Sequence, residues 1–214
     1  MNKCIIIIFT IFFSGNSLFA KNIKGIIISQ KNDTMQVVFD IPVNLFTQQP
    51  NIEKLQWKVN YIDSNNKKQI VKPFQAKEIS FNYKGENIRM ISTRNNLGLK
   101  APFFGDNSFI FLRLIIDGKM KLYNYYYTDY YYSPGVHNST TGTTTEAIPY
   151  TAKNFILQKD TAELFQAGWL LFKKDMIDYL SDCPELAKKM KDKIYLKKDV
   201  ALIVNEYNKE WVNH

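Results

Sequence analysis

The chain has 214 residues, with 28 lysines and arginines against 20 acids, a formal net charge of +8 and 45% hydrophobic residues. That apolar content is enough for a packed core and excludes a disordered chain. Two cysteines exclude a disulfide-built scaffold, and two histidines leave little material for a histidine-based triad or metal set.

The opening MNKCIIIIFTIFFSGNSLFA combines Lys3, an apolar run from Ile5 to Phe13 and a small residue at Ala20. A run this short falls below the roughly 20 apolar residues of a spanning helix and has the build of a secretory signal peptide, here assigned to residues 1–20. Leu18 departs from the small residue preferred three positions before a cut. Cys4 lies at the front of the run, so it is not a lipoprotein-type attachment cysteine. The predicted destination is the periplasm, the outer-membrane surface or the medium, with no transmembrane segment after cleavage. Removing residues 1–20 takes away Lys3 and no acid, so 27 basic and 20 acidic side chains remain, a net +7, with Cys183 as the sole cysteine. No internal disulfide can then form.

From residue 21 to 158 the sequence reads as strands. GIIISQ and TMQVVFDI flank the polar turn KND, and LQWKVNYID alternates with Leu55, Trp57, Val59 and Tyr61 on one side. KEISFNY, KGE and NIRMIS form a second hairpin pattern, while TRNNLGLKAPFFGDN has no regular period. In SFIFLRLIIDGKMKLYNYYYTDYYY, Asp117 and Gly118 predict a tight turn. With Gly118 and Lys119 as the two loop residues Leu114 faces Tyr123; moving the loop back to Asp117 and Gly118 changes the partners but not the faces. Tyr123, Tyr125 and Tyr127 then share a face with Ile110, Leu112 and Leu114, which makes them core. Tyr130, Tyr131 and Tyr132 fall beyond the expected partner strand and become the candidate aromatic binding patch. Residues 133–150, SPGVHNSTTGTTTEAIPY, read as a flexible exposed loop.

Beyond NFILQK the period changes to that of a helix, with Leu164, Phe165, Trp169, Phe172, Met176, Tyr179 and Leu180 as one stripe. Asp160 with Glu163, and Asp182 with Glu185, have capping-box spacing, and Pro184 suits a first helical turn. Val200, Ile203, Val204, Tyr207 and Trp211 mark a last helix. Three short helices over residues 159–214 need a surface on which to bury their stripes. The prediction is an α+β fold: an antiparallel region of about eight short strands with a C-terminal helical cluster packed on it. An outer-membrane barrel would need longer strands and no helical end.

The lysines are spread along the chain apart from KKMKDK and LKK, which read as a solvated helix face. No arginine-rich stripe or nucleic-acid motif accompanies them, so nucleic acid is not an expected partner. Neither His137 nor His214 has companions at ligand spacing, and no phosphate loop or dinucleotide fingerprint is present, so no metal, cofactor or catalytic residue is assigned. Carboxylates at Glu53, Asp63, Glu78, Glu86, Asp106 and Asp117 could converge only through the fold. Cys183, in the first turn of a helix, is a candidate reactive thiol, balanced against a structural role because Asp182 opposes thiolate formation. Asp33-Thr34-Met35 and Asp160-Thr161-Ala162 match an acceptor pattern of a bacterial O-glycosylation system and also have complete readings as a turn and a cap.

KGIIISQKNDTMQVVF, KVNYIDSNNKK, AKEISFNY, FLRLIIDGKMKLYNYYY and FKKDMIDYLSDCPELAKKM with IVNEYN occur in an order that resembles small exported envelope proteins of Gram-negative, Bacteroidetes-type bacteria. The resemblance implies export and a shared organisation over nearly the whole mature chain, with residues 133–150 as a variable insertion. It implies no activity. The expected function is a non-enzymatic binding or structural module that meets an envelope protein, a glycan or a membrane surface. A carboxylate hydrolase and a carrier of an apolar ligand are the alternatives.

Overall fold

The computed structural model describes residues 18–45, 47–100, 107–132, 136–138, 142–144, 147–168 and 170–212. Nine antiparallel strands form one curled sheet. They are β1 (Leu18–Ser29), β2 (Thr34–Asn44), β3 (Val59–Ile62), β4 (Lys68–Val71), β5 (Ala76–Tyr83), β6 (Glu86–Arg94), β7 (Phe109–Ile116), β8 (Met120–Tyr132) and β11 (Ala147–Lys159). Their spatial order is β11-β8-β7-β6-β5-β1-β2-β3-β4. The short strands β9 (Val136–Asn138) and β10 (Gly142–Thr144) pair only with each other. The helices are α1 (Ile52–Leu55), α2 (Phe172–Tyr179), α3 (Pro184–Lys191) and α4 (Val200–Val212).

Local chemistry explains several of these elements. In β2 the alternation is strict: Val37, Phe39, Ile41 and Val43 are buried while their neighbours are not. The β5–β6 turn consists of Lys84 and Gly85, both at positive φ (50° and 85°), the geometry that suits the right-handed twist of a hairpin. At the β3–β4 turn the Asp63 carboxylate accepts from the amides of Asn65 and Lys67, closing the loop predicted from SNNKK. Strand β1 begins at Leu18, and residues 18–20 pair with Asn44, Val43 and Pro42. Cleavage after Ala20 therefore trims three pairs from the end of β1.

The side chains pack in three clusters. The first covers one face of β1–β6 with Phe39, Ile79, Phe81 and Met90, joined by Phe111 of β7 and by Ile52 and Leu55 of α1. The second joins Met120, Leu122 and Leu157 of the sheet to Met176, Leu186, Ile203 and Tyr207 of the helices. This is the expected C-terminal cluster packed on the sheet. The third surrounds Tyr123 and Tyr125 with Ile110, Leu112, Ile156, Leu164 and Trp57. Strand β8 is thus covered on both faces over its first half.

Four expectations are corrected. Residues 52–55 are a helical turn capped by the Asn51 side chain, so LQWKVNYID is not one strand: Leu55 enters the first cluster and Trp57 the third. The segment from Asp160 to Gly168 is not helical. Asp160 takes φ 46° and pairs with Lys119, while Phe165 bonds to Leu157 as an isolated bridge, so α2 starts only at Phe172. Asp182 does not cap α3; its carboxylate takes Lys159 and the Tyr207 hydroxyl instead, and the N-cap is Cys183, whose side chain makes no capping bond to the helix. Residues 147–150, read as loop, open β11. Leu114 lies opposite Tyr123 as expected for one of the two loop placements, but the register shifts between Leu114 and Ile116, and Asp117, Gly118 and Lys119 together make the connection.

Candidate functional site

Strand β8 outruns its neighbour. Its ladder with β7 ends at Arg113 and Asn124, whereas its ladder with β11 runs on from Met120 to Tyr132. Past Asn124 the two strands splay, and Gln56, at the end of α1, enters the gap. Its backbone oxygen accepts from the Phe111 amide at 2.9 Å. Its side-chain amide donates to the Tyr126 oxygen at 2.8 Å and accepts from the Tyr126 nitrogen at 2.7 Å. Two residues on, the Glu53 carboxylate takes both the amide and the hydroxyl of Thr128. Side chains therefore continue the edge that β7 leaves open. From Tyr130 onward this edge has no strand partner among the described residues, and the Tyr130 amide turns to its neighbour Asp129.

What projects beyond this point is a two-stranded ribbon, with Tyr130 opposite Pro149, Tyr131 opposite Ile148 and Tyr132 opposite Ala147. Tyr130, Tyr131 and Tyr132 are 50–65% exposed, Ile148 is 51% exposed and Tyr150 49%, so five large side chains stand in water within a few residues. Because side chains alternate along a strand, Tyr131, Ile148 and Tyr150 share one face, continuing the row Tyr123, Tyr125 and Tyr127. Tyr130, Tyr132 and Pro149 share the other. The three candidate tyrosines are thus one contiguous element with two aromatic faces; they lie beyond the β7 ladder as expected, while β11 pairs with them on the other side. Tyr125 and Tyr127 stack at 5.7 Å with an interplanar angle of 15°, carrying the aromatic row outward from the core. The Tyr150 hydroxyl donates to Asp129 at 3.1 Å, and that bond, ahead of burial, holds the phenol above its ordinary pKa. Sequence reasoning missed Ile148 and Tyr150 because a ribbon wet on both faces needs no apolar alternation.

Cys183 is buried and donates to the Glu210 carboxylate at 2.6 Å. Burial first, then Glu210, pushes the thiol up to about 11. A protonated, enclosed thiol is a poor nucleophile. Alkylation of the native protein at pH 8 is therefore expected to be slow and to accelerate on unfolding; rapid native labelling would contradict this geometry. The stability contributed by the raised pKa is complete below the thiol's ordinary value of 9.0 and is lost as pH rises from there towards about 11.

The carboxylates flagged in the sequence are engaged separately. Glu78 and Asp117 both pair with Arg89, Glu86 pairs with Arg113, Asp63 closes its turn and Glu53 holds Thr128. Asp106 and His214 lie outside the described residues, and His137 sits in β9. Among the described residues no group of three His, Cys, Asp or Glu side chains is placed to hold a metal. No helix among them is long and apolar enough to cross a membrane. Thr34 and Thr161, the two acceptor-pattern threonines, are both exposed.

The molecule is thus an antiparallel β-sheet protein with a helical cluster on one side and a protruding aromatic ribbon. Comparison with protein-family models, curated proteins and solved structures finds no match.

Proposed function

We propose that this is an exported, non-enzymatic binding module of the bacterial cell envelope that grips a partner protein with its β8–β11 ribbon. The observation that carries the reading is the cluster of five large, exposed apolar side chains on an element whose backbone edge is also open. Tyrosine-rich, weakly charged surfaces suit protein interfaces, where each ring brings large contact area at low entropic cost. A flat sugar platform would need rings on one face only. Rings on both faces, together with unpaired strand groups, suit a proteinaceous groove that closes round the ribbon and extends its ladder. The apolar opening run supports export.

The test joins stability with capture. Replacing Tyr130, Tyr131 and Tyr132 by serine should move the Tm by no more than about 3 °C, because exposed substitutions cost little. Mild cross-linking in the envelope should give a discrete adduct with the native chain that the triple variant loses. A lone monomer in both cases, or an adduct indifferent to the tyrosines, would overturn the reading.

A further inference from the structure

We propose that the junction of α2, α3 and the turn at Lys197–Asp199 is a docking surface for an anionic lipid bilayer. Lys173 of α2 donates to the Lys191 oxygen at the end of α3. Phe172, Met176, Lys197 and Val200 line one cavity of about 220 Å³. The start of α2, the end of α3 and the segment that follows therefore meet at one corner of the molecule. Four aliphatic side chains stand out from it: Leu170 at 91% exposure, Ile194 at 61%, Leu171 at 57% and Leu196 at 51%. Such exposure gives them no part in the core, and clustered aliphatics of this kind mark an interaction surface.

Charge identifies the occupant. Residues 170–175 and 188–199 carry eight lysines and three acids, Asp175, Asp192 and Asp199, a net +5 out of the chain's +8. The remaining 20 basic and 17 acidic residues come closer to balance, so most of the protein's net positive charge lies at this corner. Nearby acids offset it only in part: Asp199 and Asp175 keep their charge while accepting from the backbone amides of Leu196 and Gly168. Glu206 takes one lysine, Lys189, together with the Tyr195 hydroxyl. Clustered lysines around protruding aliphatic side chains match a bilayer, where ammonium groups meet lipid phosphates and the aliphatic tips enter the interface. Nucleic acid fits less well, because the described residues of the corner offer neither arginine nor exposed aromatic stacking. The basic tail read from sequence as a solvated helix face thus becomes, in the fold, the rim of an apolar patch.

The test is co-sedimentation of the exported chain with vesicles of phosphatidylcholine, alone or with about a third phosphatidylglycerol. Binding is expected to the anionic vesicles only and to weaken as salt rises. Lys191→Glu, Lys193→Glu and Lys198→Glu together should reduce partitioning about tenfold or more. Leu170→Ser with Leu171→Ser should reduce it several-fold and remove the salt-resistant part. Unchanged Tm values would show that both variants fold. Equal binding to neutral vesicles, no binding to either kind, or a leucine variant that binds like the native chain would each overturn the proposal. The serine variant of the ribbon should bind vesicles normally, so this surface and the ribbon stand or fall separately.

Discussion

Gly25→Ala is expected to destabilise the protein by about 2–3 kcal/mol, lowering the Tm by roughly 5–10 °C, although it adds only one methyl group. Gly25 lies in β1, opposite Val37 of β2 and Phe81 of β5. A Cβ there would stand 2.4 Å from the Ser80 oxygen and 2.5 Å from Cε2 of Phe39. Phe39 is fully buried and meets Phe81 edge-on at 5.9 Å, so its ring has no empty space into which to retreat. The second obstacle is backbone in the neighbouring strand, which can yield only by distorting the ladder. This predicts a specific coupling: Phe39→Leu should recover part of the loss caused by Gly25→Ala, but not all of it. A chemical-denaturation series on the two single variants and the double variant measures the coupling. A loss below about 0.5 kcal/mol for Gly25→Ala would mean that the strands separate more easily than the packing implies.

Much of the fold was legible because local and global signals agree. KGE between two alternating segments is a hairpin whether or not its neighbours are known, and Lys84 and Gly85 adopt the turn it requires. Leu114 faces Tyr123 because a tight turn leaves few registers. The helical stripe of α4 was readable for the same reason, since Val200, Ile203, Val204 and Tyr207 are buried where the period places them. What could not be read are segments whose backbone is satisfied by distant side chains. Leu164 belongs to an apolar stripe, yet both of its backbone groups bond to the side-chain amide of Asn96, 68 residues away. Met120 is clasped in the same way by Asn208, and Tyr126 by Gln56. In each case one primary amide supplies the donor and the acceptor that a neighbouring strand would have supplied. No periodicity announces such a clasp, because an isolated Asn or Gln in a sequence has the same look whether it faces water or completes a sheet.

The candidate site was legible to the same extent. The tyrosine run showed itself, and its division at about Tyr127 into core and exposed parts follows from alternation and strand length. Its partner strand did not show itself, because Pro149, Thr151 and the surrounding small residues have loop composition. Those residues are tolerated in β11 because it is the edge strand, where a proline need not donate to a second neighbour.

Gln56→Ala is expected to cost about 3–4 kcal/mol, from two unmet backbone groups at about 1–3 kcal/mol each. Gln56 is fully buried, and water cannot reach Tyr126 to replace its amide without opening the seam between β7 and β8. Two controls separate hydrogen bonding from shape. Gln56→Glu keeps the volume but turns a carboxylate oxygen toward the Tyr126 oxygen, so it should be nearly as damaging as alanine. Glu53→Gln, one turn earlier and facing Thr128 at the exposed edge, should cost under about 1 kcal/mol. Hydrogen exchange supplies the second readout. In the Gln56 variant, the amides of Tyr126 and Thr128, which face the seam, should exchange much faster, while the alternate amides bonded to β11 and those of the β5–β6 hairpin keep their protection. The ribbon would then remain paired within itself but lose its fixed angle to the sheet, and cross-linking through Tyr131 should weaken although no contact residue has changed. If stability falls by less than about 1 kcal/mol and exchange stays uniform, the splayed strands need no clasp, and the ribbon's orientation must come from the packing of Tyr125 and Tyr127 alone.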